Sequence, residues 1–270
     1  MKLATRSLLV CLLGVLPPVG AAWAQVPPPP PAPPPETTVV AAPVTPGLDD
    51  DPHVDRAWFS PTAITQPAGT ASFNDWELVL LGMTYAFTDN FQVTGVVVPP
   101  LVQDMPFIGM VSAKLGASLS DRVHIAAMAG VGYARIDDDD QGSAAGLGGA
   151  ISVCIDEACG SMVSAYAYGV WFWEDTDDTF PIAFGVSLLG RISRHVKVVI
   201  EVSSAGLLAR EDSGFAEAVV VGYGVRFFTG NIAGDIGFIR PFAFDSEDEF
   251  GDELILGVPA VTFSYRWGGR

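Results

Sequence analysis

The chain has 270 residues, 49% of them hydrophobic, with 31 acidic against 14 basic side chains and a formal net charge of −17. That acidity excludes a nucleic-acid ligand, which needs a basic face. Past the N-terminus no apolar run reaches the roughly 18 residues of a membrane helix, so the hydrophobic content must lie in short segments.

Residues 1–24 read as a secretory signal. Lys2 and Arg6 supply the positive region, Leu8 to Val19 the apolar core, and Ala22-Trp23-Ala24 a small-x-small site with the cut after Ala24. Pro17-Pro18 interrupts the apolar stretch, which argues against an anchor, and Val10 stands where a lipidation site at Cys11 needs a small residue. Loss of Lys2 and Arg6 takes the formal charge to about −19. Residues 25–55, "QVPPPPPAPPPETTVVAAPVTPGLDDDPHVD", carry no core-forming pattern and predict a disordered, semi-rigid tether exposed to water. A plain spacer is the favoured role, and cell-wall contact the alternative.

From Arg56 onward the pattern turns to period two and predicts about twelve strands within a range of ten to fourteen. Their cores are 56–64, 76–87, 91–98, 107–118, 122–135, 145–155, 160–173, 181–191, 195–204, 217–228, 231–239 and 254–267. The first is the weakest, because Pro61 and Pro67 break it. The connections alternate in length. Short turns fall at Thr88-Asp89-Asn90, Ser120-Asp121, Ile155 to Ala158, Ser193-Arg194 and Thr229-Gly230-Asn231. Between them run longer links at 99–106, 137–144, 174–180, 205–216 and 240–253. A sandwich gives no reason for such alternation, whereas an up-and-down barrel in lipid does.

The strand faces agree. Val79, Leu81, Met83, Tyr85, Phe87, Phe91, Val93 and Val97 are expected to face acyl chains, with Thr84, Gln92 and Thr94 turned inward. Aromatic residues cluster near strand ends, among them Trp58, Trp76, Tyr85, Phe87, Tyr133, Trp171, Trp173, Phe228 and Trp267, as in two interfacial girdles. The fold class is therefore all-β: a transmembrane antiparallel barrel over 56–270, preceded by the Pro-rich segment.

In its "YAFTDNFQV" hairpin and its last strand "VTFSYRW", the chain resembles bacterial outer-membrane β-barrel proteins. The resemblance implies an outer-membrane location among lipids and lipopolysaccharide, with the tether and C-terminus in the periplasm. It further implies that Phe263, Tyr265 and Trp267 are read by the barrel-assembly machinery, although Gly268-Gly269-Arg270 follow the last aromatic.

Candidate chemistry is sparse, and no cofactor is expected. Cys154 and Cys159 flank a tight hairpin in an oxidising compartment and predict a disulfide. A lone C-x4-C with no nearby histidine makes a poor zinc site. Of the three histidines, His53 lies in the tether, and His124 and His195 lie beside short turns, away from the long links where a barrel hydrolase would work. An enzyme is not expected. The long links are acidic at Asp137, Asp138, Asp139, Asp140, Asp175, Asp177, Asp248 and Glu249, weak candidates for divalent cations or for bridging to lipopolysaccharide phosphates. Lys114, Arg191, Lys197, Glu201, Arg226, Asp235 and Arg266 are candidate lumen charges, which either pair and fill a small barrel or line a path through it. Two functions follow: a structural or binding barrel with a filled lumen, or a narrow porin-like channel that favours cations.

Overall fold

The computed structural model describes residues 51–76, 80–99, 107–135, 141–173, 180–208, 218–243 and 257–268. Among these, the strands in chain order are β1 Thr70–Trp76, β2 Leu80–Thr88, β3 Phe91–Val98, β4 Phe107–Ser118, β5 Val123–Arg135 and β6 Gln141–Cys154. They continue as β7 Met162–Phe172, β8 Phe180–Ser193, β9 Val196–Leu208, β10 Ala218–Thr229, β11 Ile232–Ala243 and β12 Val258–Gly268. Each pairs antiparallel with its sequence neighbours, and β1 closes the ring on β12, from Thr70 opposite Gly268 to Trp76 opposite Thr262. Closure removes the sheet edge, so the wall satisfies its own backbone groups. The expected all-β, up-and-down barrel is the observed fold.

Each strand presents one apolar face outward. Met83, Tyr85 and Phe87 on β2, Val111 and Leu115 on β4, Ile200 and Val202 on β9, and Phe263, Tyr265 and Trp267 on β12 are all exposed on the outside. Their neighbours Thr84, Lys114, Lys197, Glu201, Ser264 and Arg266 are buried within. The period of two makes this division automatic once one solvent is apolar. Not every aromatic joins the outer bands: Trp76 and Phe228 are buried on the lumen face.

One expected strand does not form. Residues 56–64 make only the isolated bridge Arg56–Pro61. The expected strand 76–87 is found as β2, from Leu80, while β1 at Thr70–Trp76 is a strand not expected there; residues 77–79 between them lie outside the described residues together with the outward position expected for Val79. Pro61 and Pro67 lack the N–H a ladder needs. Asp55, Arg56, Ser60 and Thr62 also find a polar setting inside the barrel. The twelve-strand total therefore holds with a different first pair.

The segment 51–69 occupies the lumen as a folded hairpin, here called the plug. It rises from Asp51, beside Lys197 near the short β8–β9 turn, and reaches its tip at Trp58-Phe59-Ser60. It then descends past Ser152 to the β2–β3 turn, where the Ala68 N–H donates to Asp89 and the Thr65 hydroxyl to the Asp89 carbonyl. Gly69, with φ 75°, swings the chain from the lumen into the wall.

Candidate functional site

The plug is held by side chains of the wall that offer complementary polar groups. At its tip three successive N–H groups, from Trp58, Phe59 and Ser60, donate to Glu201 Oε2 at 3.1, 3.0 and 3.0 Å. Ser203 donates to the other carboxylate oxygen at 3.0 Å. Consecutive N–H groups form a concave nest for an anion, and here the wall supplies that anion. The Trp58 ring fits because β10 and β11 carry glycine beneath it. A Cβ on Gly224 or Gly237 would come within 2.5 Å of the indole. Trp76 Nε1 donates to the Trp58 carbonyl at 3.3 Å.

The rising leg carries the charges. Asp51 accepts from Lys197 Nζ at 2.6 Å and from Arg226 at 3.5 Å. Arg226 also donates to both oxygens of Asp235, at 2.7 and 3.0 Å, and to the plug carbonyls of His53, Arg56 and Ala57. His53 sits between Asp235, at 3.5 Å, and Arg56, at 2.8 Å. Arg56 reaches Asn74 on β1 at 2.6 Å and lies over the Trp76 ring. Asp51, His53, Arg226, Lys197 and Asp235 are all sealed from solvent. Charges so buried persist only when paired and hydrogen-bonded.

The descending leg is held mainly through its backbone. Lys114 Nζ donates to the carbonyls of Asp55, Thr62 and Ile64 at 2.9, 3.2 and 2.7 Å. Gln92 bridges the Asp55 carboxylate and the Gln66 N–H, and Ser152 accepts the Ala63 N–H. Apolar plug residues Val54, Ala57, Trp58 and Ile64 pack with Met162, Leu189, Val199 and the cystine sulfurs. Phe59 at the tip is 42% exposed.

All seven lumen candidates stand on the inward face. Lys114, Lys197, Glu201, Arg226 and Asp235 meet the plug or one another, as described. Arg191 lies at the short-turn rim, donating to the Ser193 and Arg194 carbonyls and lying over Phe228, and Arg266 is buried near the same rim. The acidic candidates Asp137, Asp138, Asp139, Asp140, Asp175, Asp177, Asp248 and Glu249 lie outside the described residues. The plug's own Asp51, His53 and Asp55, expected from the sequence in a solvated tether, are buried in the lumen. The missed signal is the polar alternation of "DPHVD". Its charges complement the lysines and arginine expected on the lumen wall. His53 is correspondingly a lumen residue.

The Cys154–Cys159 disulfide is formed at the β6–β7 turn. The expectation that no histidine stands near it is corrected: ligand atoms of His124, Cys154 and Cys159 lie within 4.8 Å of one another. The pairing of β5 with β6 places His124 opposite Ser152, two residues from Cys154, a proximity invisible in linear spacing. Ser118 pairs with His124 Nδ1 at 2.9 Å. With both sulfurs in the disulfide, no thiolate is free to bind a metal.

The outer wall carries an apolar groove of about 860 Å³ over β2–β5, floored by Gly95 and Gly109 and flanked by Met83, Val97, Phe107, Val111 and Tyr133.

The architecture is a closed antiparallel barrel of twelve strands with an apolar outer belt. No family model matches the chain, and no curated protein does. Among solved structures, a KdgM porin aligns over 74% of this chain and 99% of its own at 7% identity, with a TM-score of 0.47. A NanC porin aligns over 75% and 100% at 8% identity and TM-score 0.41. LpxR from Salmonella typhimurium aligns over 73% and 99% at 7% identity and TM-score 0.42. Each aligns over nearly the whole of its own length.

Proposed function

We propose that the protein is an outer-membrane barrel of structural or binding type, kept closed by its own residues 51–69. The observation that carries this reading is the plug's seat, in which Glu201, Lys197, Arg226 and Lys114 satisfy its charges and backbone. An outward belt such as Met83, Leu115, Val186 and Ile236 supports a lipid exterior, since a water-facing wall would not select it. In this reading the short turns, the Pro-rich tether and the C-terminus lie in the periplasm, where the tether is a spacer or touches the cell wall. The acidic links face outside, close to lipopolysaccharide, and Phe263, Tyr265 and Trp267 present the assembly signal. The protein is read as a non-enzyme. His53 of the plug and Asp235 of β11 stand 3.5 Å apart, and both are sealed from solvent.

The test is conductance of the full mature chain in a planar bilayer. The expected result is the absence of a steady open step. A stable ohmic pore from the unsubstituted protein overturns closure. Orientation is read separately: a membrane-impermeant maleimide should label Ser246→Cys in intact cells, and Asn90→Cys only after permeabilisation. The reverse pattern inverts the topology.

A further inference from the structure

The plug's carboxylates occupy positions that the wall has prepared for an acid. Lys197 has Asp51 as its ionic partner, at 2.6 Å, and its ammonium lies against the Phe228 ring. Arg226 shares Asp51 while keeping Asp235 on its other side. Lys114 donates to three carbonyls, and every one belongs to the plug. Withdrawal of residues 51–69 therefore leaves two ammonium groups without these partners and a guanidinium half satisfied. Glu201 loses its three plug donors but retains Ser203, and Asp235 retains Arg226. Among the described residues the emptied lumen is cationic, although the whole chain is strongly acidic.

We infer that Lys197 and Arg226 form a carboxylate-binding seat, occupied here by Asp51, and that the unplugged lumen takes up carboxylate-bearing anions in preference to cations. This rests on the reading that residues 51–69 close the barrel. It reverses the cation preference suggested by acidic mouths alone. Charges on solvated links are screened over about 8 Å at physiological salt, whereas charges in a narrow lumen act on a partly dehydrated solute. A guanidinium beside an ammonium suits a carboxylate, because the planar fork fixes its orientation and the point charge adds affinity.

Two experiments test it. Asp51→Ala in the full chain vacates a cavity the size of formate. Its thermal midpoint in detergent micelles should fall below wild type and recover saturably by a few degrees with sodium formate. Choline chloride at equal ionic strength should not restore it. Adding Lys197→Gln should abolish the formate effect, and Asp51→Asn, which fills the cavity, should show none. The absence of a formate-specific rise, in midpoint or in refolding yield, overturns the seat. For uptake, Asp51→Asn/Trp58→Ala chains that have lost protease protection over 51–64 are recorded in a potassium chloride gradient. The expected chloride-to-potassium permeability ratio is severalfold above one, falling toward one on Lys114→Gln/Lys197→Gln. A potassium-favouring pore, or an unprotected chain that conducts nothing, overturns anion uptake. An open wild-type pore would instead defeat the closure reading and leave the formate result standing.

Discussion

The two faces of the same strands obey different rules. On the outward face of β8, Ile182, Phe184, Val186 and Leu188 need only be apolar, because lipid asks nothing more specific of them. On the inward faces, Lys197, Glu201 and Arg226 each answer a particular atom of the plug. The outer face meets a solvent, so its residues are interchangeable within a class. The inner face meets one folded segment, so its residues are fixed pair by pair. Substitutions should separate the two kinds of constraint cleanly.

The largest effect is expected at Arg226. Arg226→Met preserves much of the volume but leaves Asp51 and Asp235 with one cationic partner fewer, inside a sealed site. Breaking a buried pair from one side costs about 3–5 kcal/mol. Denaturant unfolding in micelles should show a loss of that order, with the plug becoming protease-sensitive at lower denaturant than the wall. A loss under about 1 kcal/mol would mean that water already reaches the seat.

On the outer face, Val186→Arg places a charge near the middle of β8 on a side chain that is 52% exposed to the surroundings. At mid-bilayer this costs about 2–4 kcal/mol. Val186→Ile should cost almost nothing, which no inward position except a purely apolar one would match. The cost of Val186→Arg should also depend on bilayer thickness, while that of Arg226→Met should not. Equal costs for Val186→Arg and Val186→Ile would show that this face is not in lipid.

The same contrast explains what the sequence reveals and what it hides. Period-two alternation and the alternation of link lengths give the barrel, because both record a response to solvent. The sequence misplaces the first strand. Asp51, His53, Asp55 and Arg56 are polar, and a polar stretch beside a Pro-rich segment reads as solvated. Only their partners in the wall reveal burial: Lys197, Arg226 and Asp235 on β9, β10 and β11 for Asp51 and His53, Gln92 on β3 for Asp55, and Asn74 on β1 for Arg56. The link at 77–79 is equally hidden, since Glu77-Leu78-Val79 contains no glycine, proline or asparagine. The disulfide is legible because its two cysteines are local. His124 beside it is not, because its position depends on strand register.

The smallest effect should come from that disulfide, which lies where wall and plug meet. Closing so short a loop contributes about 2 kcal/mol in the chain-entropy account, less whatever order the turn has without it. Much of that order is already present. The Asp156 carboxylate accepts the N–H groups of Gly160 and Ser161 at 2.8 and 2.7 Å, and its backbone carbonyl accepts the Cys159 N–H. Cys159 itself sits at φ 53°, a conformation a side chain tolerates only when its surroundings hold it. Cys154→Ser/Cys159→Ser should therefore cost only about 1 kcal/mol, with the barrel intact and the lumen still closed. Burial works to raise the Asp156 pKa, but hydrogen bonds from Gly160 and Ser161 outweigh it and hold the carboxyl below its ordinary value. A depressed carboxyl contributes its stabilisation above the ordinary carboxylate range and loses it as pH falls through the folded-state pKa. Without the disulfide, the Gly160 and Ser161 amides should lose hydrogen-exchange protection in that acidic window, after correction for intrinsic exchange. Asp156→Asn should abolish the pH dependence. Protection that is independent of pH in the doubly substituted protein would assign the turn's order to its packing against the plug instead.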